Sequence, residues 1–156
     1  MTYFKKKISF NFLSNKYWRL FFILLILLCL SLFFVDRTKI KSVKAANCFF
    51  EAELALSPAE QYQGLSGRPE LKDREAMLFL FSEKKDRSFV MRNMNFPLDI
   101  IFINDNRVVN IYRNLAPEGA TPSQSYHSGS PVDAVLEIKA GMSQTCGLGL
   151  GSLVNW

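Results

Sequence analysis

The sequence predicts a mainly β protein: a compact antiparallel β-sandwich or barrel with one or two short helices, preceded by one N-terminal transmembrane helix. Three observations carry this reading. An uncharged apolar run fills residues 20–35, and six or seven short strand-like segments at hairpin spacing follow residue 47. No strand alternates with a long helix, which disfavours a parallel nucleotide-binding sheet. With 156 residues, 49% hydrophobic and 21% charged, the chain suits one domain and is too apolar for wholesale disorder.

Charge divides the chain. Residues 1–46 carry nine Lys or Arg against one acid, Asp36, which leaves residues 47–156 with 10 basic and 13 acidic residues. A domain that tracks phosphates needs its cations on the folded part, so no nucleic-acid partner is expected. The organisation predicted is a basic cytoplasmic N-terminus at 1–19, a transmembrane helix or signal h-region at 20–35, a basic tether at 36–46 and an extracytoplasmic β domain at 47–156.

The apolar run (LFFILLILLCLSLFFV) follows Tyr17 and Trp18, where an aromatic interface belt would lie. As a helix it spans about 24 Å, and Trp18 with a snorkelling Arg19 extends it toward a hydrocarbon core of about 30 Å. The alternative is a cleaved secretory signal; against cleavage stand residues 36–45, four of them basic. Five Lys or Arg precede the run and four follow it, which favours a cytoplasmic N-terminus in the plasma (inner) membrane and membrane lipid as the partner of this segment. Neither Leu27-Leu28-Cys29 nor Ala46-Asn47-Cys48 has the small-residue setting of a lipid-attachment site. Cys48 and Cys146 remain at opposite ends of the domain, either as a disulfide or as two buried free thiols; spacing leaves both open.

The elements follow in order. Residues 48–56 alternate as a half-buried strand. Ser57-Pro58-Ala59-Glu60 then combines an N-cap, a proline at the first helical position and the acid of a capping box, and Gly64 and Gly67 limit the helix to about two turns. Residues 77–81 and 88–91 bracket a polar turn and read as a hairpin. Residues 98–103 and 107–112 form a second hairpin through Asn104-Asp105-Asn106, residue types that tolerate positive φ. Residues 114–131 are a long Pro-, Ser- and Gly-rich loop, 134–138 a strand, 140–146 about one helical turn and 152–154 a last strand.

Several chemistries lack their parts. His127, the one histidine, sits in a serine-rich loop without a nucleophile elbow, so it makes no Ser-His-Asp triad. One His and two distant Cys fall short of a zinc site, and Met91 and Met94 read as core gap-fillers rather than copper ligands. Gly147-Leu148-Gly149-Leu150-Gly151 lacks phosphate-loop spacing and reads as a turn. No metal and no cofactor are expected. Asp99 and Glu137 are more informative, because an acid among apolar strand residues must face solvent, pair with a cation or act on a ligand. Arg68, Arg92 and Asn93 are the partners at hand. The pair could form an ion-pair set, a ligand site, or the two carboxylates of a glycoside hydrolase.

Five motifs in order, Gly64-Leu65-Ser66-Gly67-Arg68, Met77-Leu78-Phe79-Leu80-Phe81, Arg87-Ser88-Phe89-Val90-Met91-Arg92-Asn93-Met94, Pro97-Leu98-Asp99-Ile100-Ile101-Phe102-Ile103, and Val135-Leu136-Glu137 with Gly141, resemble the domain of unknown function 192 family. The resemblance implies a compact, mainly β domain behind an export signal or anchor, with no established activity. Arg68, Asn93, Asp99 and Glu137 match the family's polar positions and are the ligand-binding candidates. Departures are Val90 where an aromatic is usual, Arg92 where Lys is common, and Ala76 where Gly often stands.

The function expected is a non-enzymatic extracytoplasmic module that binds an envelope saccharide, peptide or membrane protein. The alternative is a hydrolase of an envelope polymer with Asp99 and Glu137 as acid and base.

Overall fold

The computed structural model describes residues 16–34 and 39–156; the part of the expected cytoplasmic N-terminus before residue 16 and residues 35–38 of the expected tether lie outside the described residues. The chain divides into two units, Met1–Thr38 and Lys39–Trp156. In the first, α1 (Lys16–Phe34) is rich in Leu, Ile and Phe, and its side chains from residue 18 to 27 are exposed. Among the described residues no helix is long and apolar enough to cross a membrane, so the structure does not show the transmembrane helix expected over 20–35.

The second unit runs β1 (Ile40–Ala45), β2 (Cys48–Ala55), α2 (Pro58–Gln63), β3 (Glu75–Lys85), β4 (Ser88–Phe89), β5 (Leu98–Asn104), β6 (Arg107–Leu115), β7 (Tyr126–His127), β8 (Val132–Lys139), α3 (Met142–Thr145) and β9 (Val154–Asn155). Seven strands form one sheet in the order β6-β5-β8-β3-β2-β1-β9, curled into a half-barrel, and β4 pairs with β7 apart from it. The C-terminal segment ties the two edges of the curl together. On one side the Val108 amide donates to Ser152 O (3.0 Å) and the Val154 amide to Asn106 O (2.9 Å); on the other the Ala46 amide donates to Leu153 O (3.2 Å). An edge closed in this way offers fewer free backbone groups to other chains.

Three expectations are corrected. The sheet is not wholly antiparallel, because β2 and β3 run parallel. A parallel pair needs a crossover, and residues 56–74, with α2 inside them, supply it. The hairpin expected from 77–81 and 88–91 does not form: β3 extends to Lys85 and pairs with β2 and β8, while β4 leaves the sheet to pair with β7. The tether at 36–46 contains β1, which pairs with β2 along its length, so the folded unit begins at Lys39 rather than residue 47.

Other local signals are met in the structure. Ser57 caps α2, its hydroxyl accepting from the Glu60 amide while the Glu60 carboxylate accepts from the Ser57 amide. Asp105 and Asn106 take φ values of +48° and +60°, the two positive angles a tight hairpin requires between β5 and β6. Cys48 and Cys146 form a disulfide, closing a loop of 98 residues.

Alternation along β3, β5 and β8 sorts side chains into two apolar layers. Inside the curl lie Phe50, Leu78, Ile101, Ile103, Leu136 and Ile138, with Cys146 and Val154. On the outer face Met77, Phe79, Ile100, Phe102 and Val135 are covered by Leu65, Leu71, Met91, Met94 and Tyr126 from the connecting segments. Met91 and Met94 thus fill a core.

Candidate functional site

The register places Glu53, Met77, Glu137 and Ile100 in one row across the sheet, one residue each from β2, β3, β8 and β5. Residues paired across a strand boundary share a face, so this row belongs to the outer layer. Above it, two segments form the walls of a cleft of about 300 Å³: α2 with the loop to Ser66, and residues 87–94 around β4. Gln61 anchors α2 to the sheet by donating from Nε2 to Leu80 O (3.0 Å), and the Ser66 hydroxyl donates to Arg92 O (2.8 Å), joining the two walls. The Gly67 amide adds a bond to Asn93 O (2.8 Å).

Glu137 lines the bottom of this cleft and is 5% exposed. Its Oε2 is buried and makes no hydrogen bond among the described residues. Burial pushes the carboxyl up to about 8, against the opposing pull of the Arg68 charge, so at neutral pH Glu137 holds its proton. Gly64 closes over it with φ +51°, and a Cβ there would stand 3.6 Å from the Phe79 ring and 4.0 Å from Glu137 Oε2. Phe79 and Phe81 of β3, with Phe89 of β4, supply apolar wall, and Phe89 packs edge-on to Phe79 (centroids 4.9 Å apart).

Two arginines also line the cleft. The Arg87 guanidinium lies 3.9 Å from the Phe81 ring centroid and Arg92 lies 3.9 Å from that of Tyr62. Arg92 Nη2 further donates to Tyr62 O (2.6 Å), and Arg87 Nη2 to Glu83 O (2.9 Å). Cation–π stacking of this kind holds a guanidinium plane in place while leaving its edge able to donate.

The four residues expected to share a site do not all meet. Arg68 stands beside the row, its Nη2 2.6 Å from Glu53 Oε2, and its charge reaches Glu137. A second hollow lined by Glu53, Gln63, Gly64 and Arg68 adjoins the cleft. Asn93 is exposed and has φ +51°; its carbonyl joins the walls by accepting from the Gly67 amide, and its own amide donates to Gly119 O (3.1 Å) outside the cleft. Asp99 pairs in register with Ile138, one step from Glu137, and therefore faces the interior of the curl. There its carboxylate accepts from the Asn114 amide (2.8 Å) and the Ser143 amide (2.9 Å), fixing the end of β6 and the start of α3. Asp99 and Glu137 therefore face opposite sides of the sheet and do not line one cleft, an arrangement that does not favour the paired-carboxylate hydrolase. Arg87, Tyr62 and the phenylalanine wall were not selected from sequence; the motif Arg87-Ser88-Phe89 contained the signal, but nothing local distinguishes its arginine from a solvated surface cation.

The family's sequence profile matches residues 39–156, the whole of the second unit. The chain belongs to the DUF192 family, described as uncharacterized ACR. Two solved structures are similar to this DUF192 domain. A protein of unknown function from Novosphingobium aromaticivorans shares 38% identity at a TM-score of 0.69, over 75% of this chain and 85% of that one. A protein described as a putative transcription regulator from Sinorhizobium meliloti shares 29% identity at a TM-score of 0.69, over 74% and 92%. No curated protein matches. Of the positions where this DUF192 member departs from the usual pattern, Val90 and Arg92 both line the cleft, and Ala76 is buried inside the curl.

Proposed function

We propose that this DUF192 domain is a binding module that takes a small ligand, such as an envelope saccharide or peptide unit, in the cleft over Glu137. One observation carries the reading: a buried carboxyl oxygen without a protein partner lies under an open cleft walled by aromatic rings. An orphaned buried polar group costs free energy, on the order of 1–3 kcal/mol, unless a ligand or solvent satisfies it. Small-molecule sites combine mostly apolar walls with a few convergent polar groups, and about 300 Å³ is the lower end of their size range. The ligand unit is therefore small. Description of one relative as a transcription regulator does not transfer to this chain, since the folded unit 39–156 has 13 basic and 13 acidic residues and lacks the excess of cations that nucleic acid demands.

We place the module outside the cytoplasm, held or exported by the basic lead-in and the apolar run at 20–35. The Cys48–Cys146 disulfide supports an oxidising compartment. Alkaline carbonate extraction of membranes, read by immunoblot, checks retention, and a protein released by carbonate overturns anchoring.

The binding reading is tested by thermal unfolding of the full-length protein against monosaccharides, cell-wall fragments and dipeptides. A compound that raises Tm should lose its effect in Glu137→Leu, which removes the orphaned group while keeping the site apolar. Persistence of the shift in that folded variant, or no shift from any compound, overturns the proposal.

A further inference from the structure

The charge of the cleft differs from that of the domain around it. The folded unit, residues 39–156, balances 13 basic against 13 acidic residues, yet the charged residues lining the cleft are Arg87, Arg92 and Glu137. Neither arginine forms an ion pair among the described residues; Glu83 is within electrostatic reach of Arg87 but is itself paired with Lys85 (2.5 Å). Two cations held on aromatic rings without a carboxylate form an arrangement that selects anions.

Hydrogen-bond supply agrees with the charge. Arg87 Nε is buried and has no acceptor among the described residues, and Glu137 Oε2 is buried without a partner in the same cleft. Because Glu137 holds a proton at neutral pH, it too can donate. Donors of both kinds are satisfied by one oxygen-rich anionic group, whereas an ammonium would meet two like charges. The remaining wall, Phe79, Phe81 and Phe89, is apolar and suits a flat hydrocarbon body.

Resting on the binding reading above, we propose that the ligand of this cleft is a small organic carboxylate with an apolar body, its anionic end bound by Arg87, Arg92 and the Glu137 carboxyl and its body lying on the phenylalanine wall. A carboxylate is favoured over a phosphate ester because the cleft offers two cations, one already within reach of Glu83, and a monoanion needs no more.

Four probes of nearly the same body separate the classes: phenylacetate, its neutral amide phenylacetamide, the cation phenethylamine, and phenyl phosphate. Saturation-transfer NMR titrations on the full-length protein at pH 7 give a Kd for each. Phenylacetate should bind at least 10-fold more tightly than the amide and the amine, and more tightly than phenyl phosphate. Arg87→Met, which keeps an aliphatic stem against Phe81, should weaken phenylacetate about 10- to 100-fold, the usual worth of a hydrogen bond to a charged group. Arg87→Lys, which keeps the charge but lacks Nε, should recover part of the loss. Equal or tighter binding of the amide or amine overturns the carboxylate assignment and leaves cleft binding standing. Tighter binding of phenyl phosphate overturns the choice of anion alone. Unchanged phenylacetate affinity in folded Arg87→Met and Arg92→Met, or failure of all four probes to bind, overturns the carboxylate assignment, while the thermal-unfolding panel with Glu137→Leu decides the binding reading separately.

Discussion

Asp99 and Glu137 lie on adjacent strands one register step apart, and they face opposite sides of the same sheet. One carboxyl accepts two backbone amide bonds inside the curl, and the other sits without a protein partner beneath the cleft. That single step separates a structural acid from a candidate ligand group, and the two should respond differently to substitution.

Glu137 should make stability fall as pH rises. Its folded carboxyl keeps a proton up to about 8, while in the unfolded chain it ionises near 4.5, so between these values the folded state binds the extra proton. Stability should decline by up to about 1.4 kcal/mol per pH unit across that window and level off above it. Glu137→Gln should remove the decline and be the more stable protein at pH 8, as read by urea midpoints at pH 5, 6.5 and 8. Glu60 works on the acid side: Lys39 first, then the bonds from Ser57, hold its carboxyl down to about 2, so its contribution is present above 4.5 and is lost as pH falls toward 2.

Replacing Asp99 with Ala should cost about 2–4 kcal/mol, because the amides of Asn114 and Ser143 lose a charged acceptor. Ligand affinity per folded molecule should stay within about 2-fold of the parent. Thermal unfolding and a titration of the same preparation check both halves, and a folded Asp99→Ala protein with abolished binding would return Asp99 to the site.

Gly64 ends α2 at φ +51° and ψ −137°, a conformation that side chains with a Cβ avoid. Gly64→Ala should destabilise by about 1–3 kcal/mol, the cost of local backbone strain. Its Cβ meets the Phe79 ring at ordinary contact distance, so the effect comes from the backbone rather than from a clash. Urea unfolding measures it, and a cost below about 0.5 kcal/mol would show that the loop relaxes.

The disulfide should matter more than any single cap. A 98-residue loop corresponds to about 4–5 kcal/mol of chain entropy removed from the unfolded state. The Cys48→Ser, Cys146→Ser double variant should show that loss in its urea midpoint. Adding dithiothreitol during unfolding of the parent should reproduce it.

Much of the local structure was legible in the residues. The capping box at Ser57 and Glu60, the β5–β6 turn at Asp105 and Asn106, and the acids of β5 and β8 are all written in short patterns whose physics is local. The β3–β4 hairpin failed because a polar turn between apolar runs states only that the chain bends, not which strand it then meets. Strand β1 was hidden because Ile40-Lys41-Ser42-Val43-Lys44-Ala45 reads as a basic tether, although Val43 and Ala45 alternate into the interior.

The sequence by itself determined that this is a mainly β domain with a capped short helix, two strand acids and a cysteine at each end, since these follow from alternation, capping and residue type along a few neighbouring positions. Tertiary structure decided the parallel β2–β3 pair, the opposite faces of Asp99 and Glu137, and the meeting of Arg87 and Arg92 with Glu137 in one cleft. Those relations depend on pairing and register between segments far apart in the chain, and only the burial of two apolar layers at once selects among the alternatives.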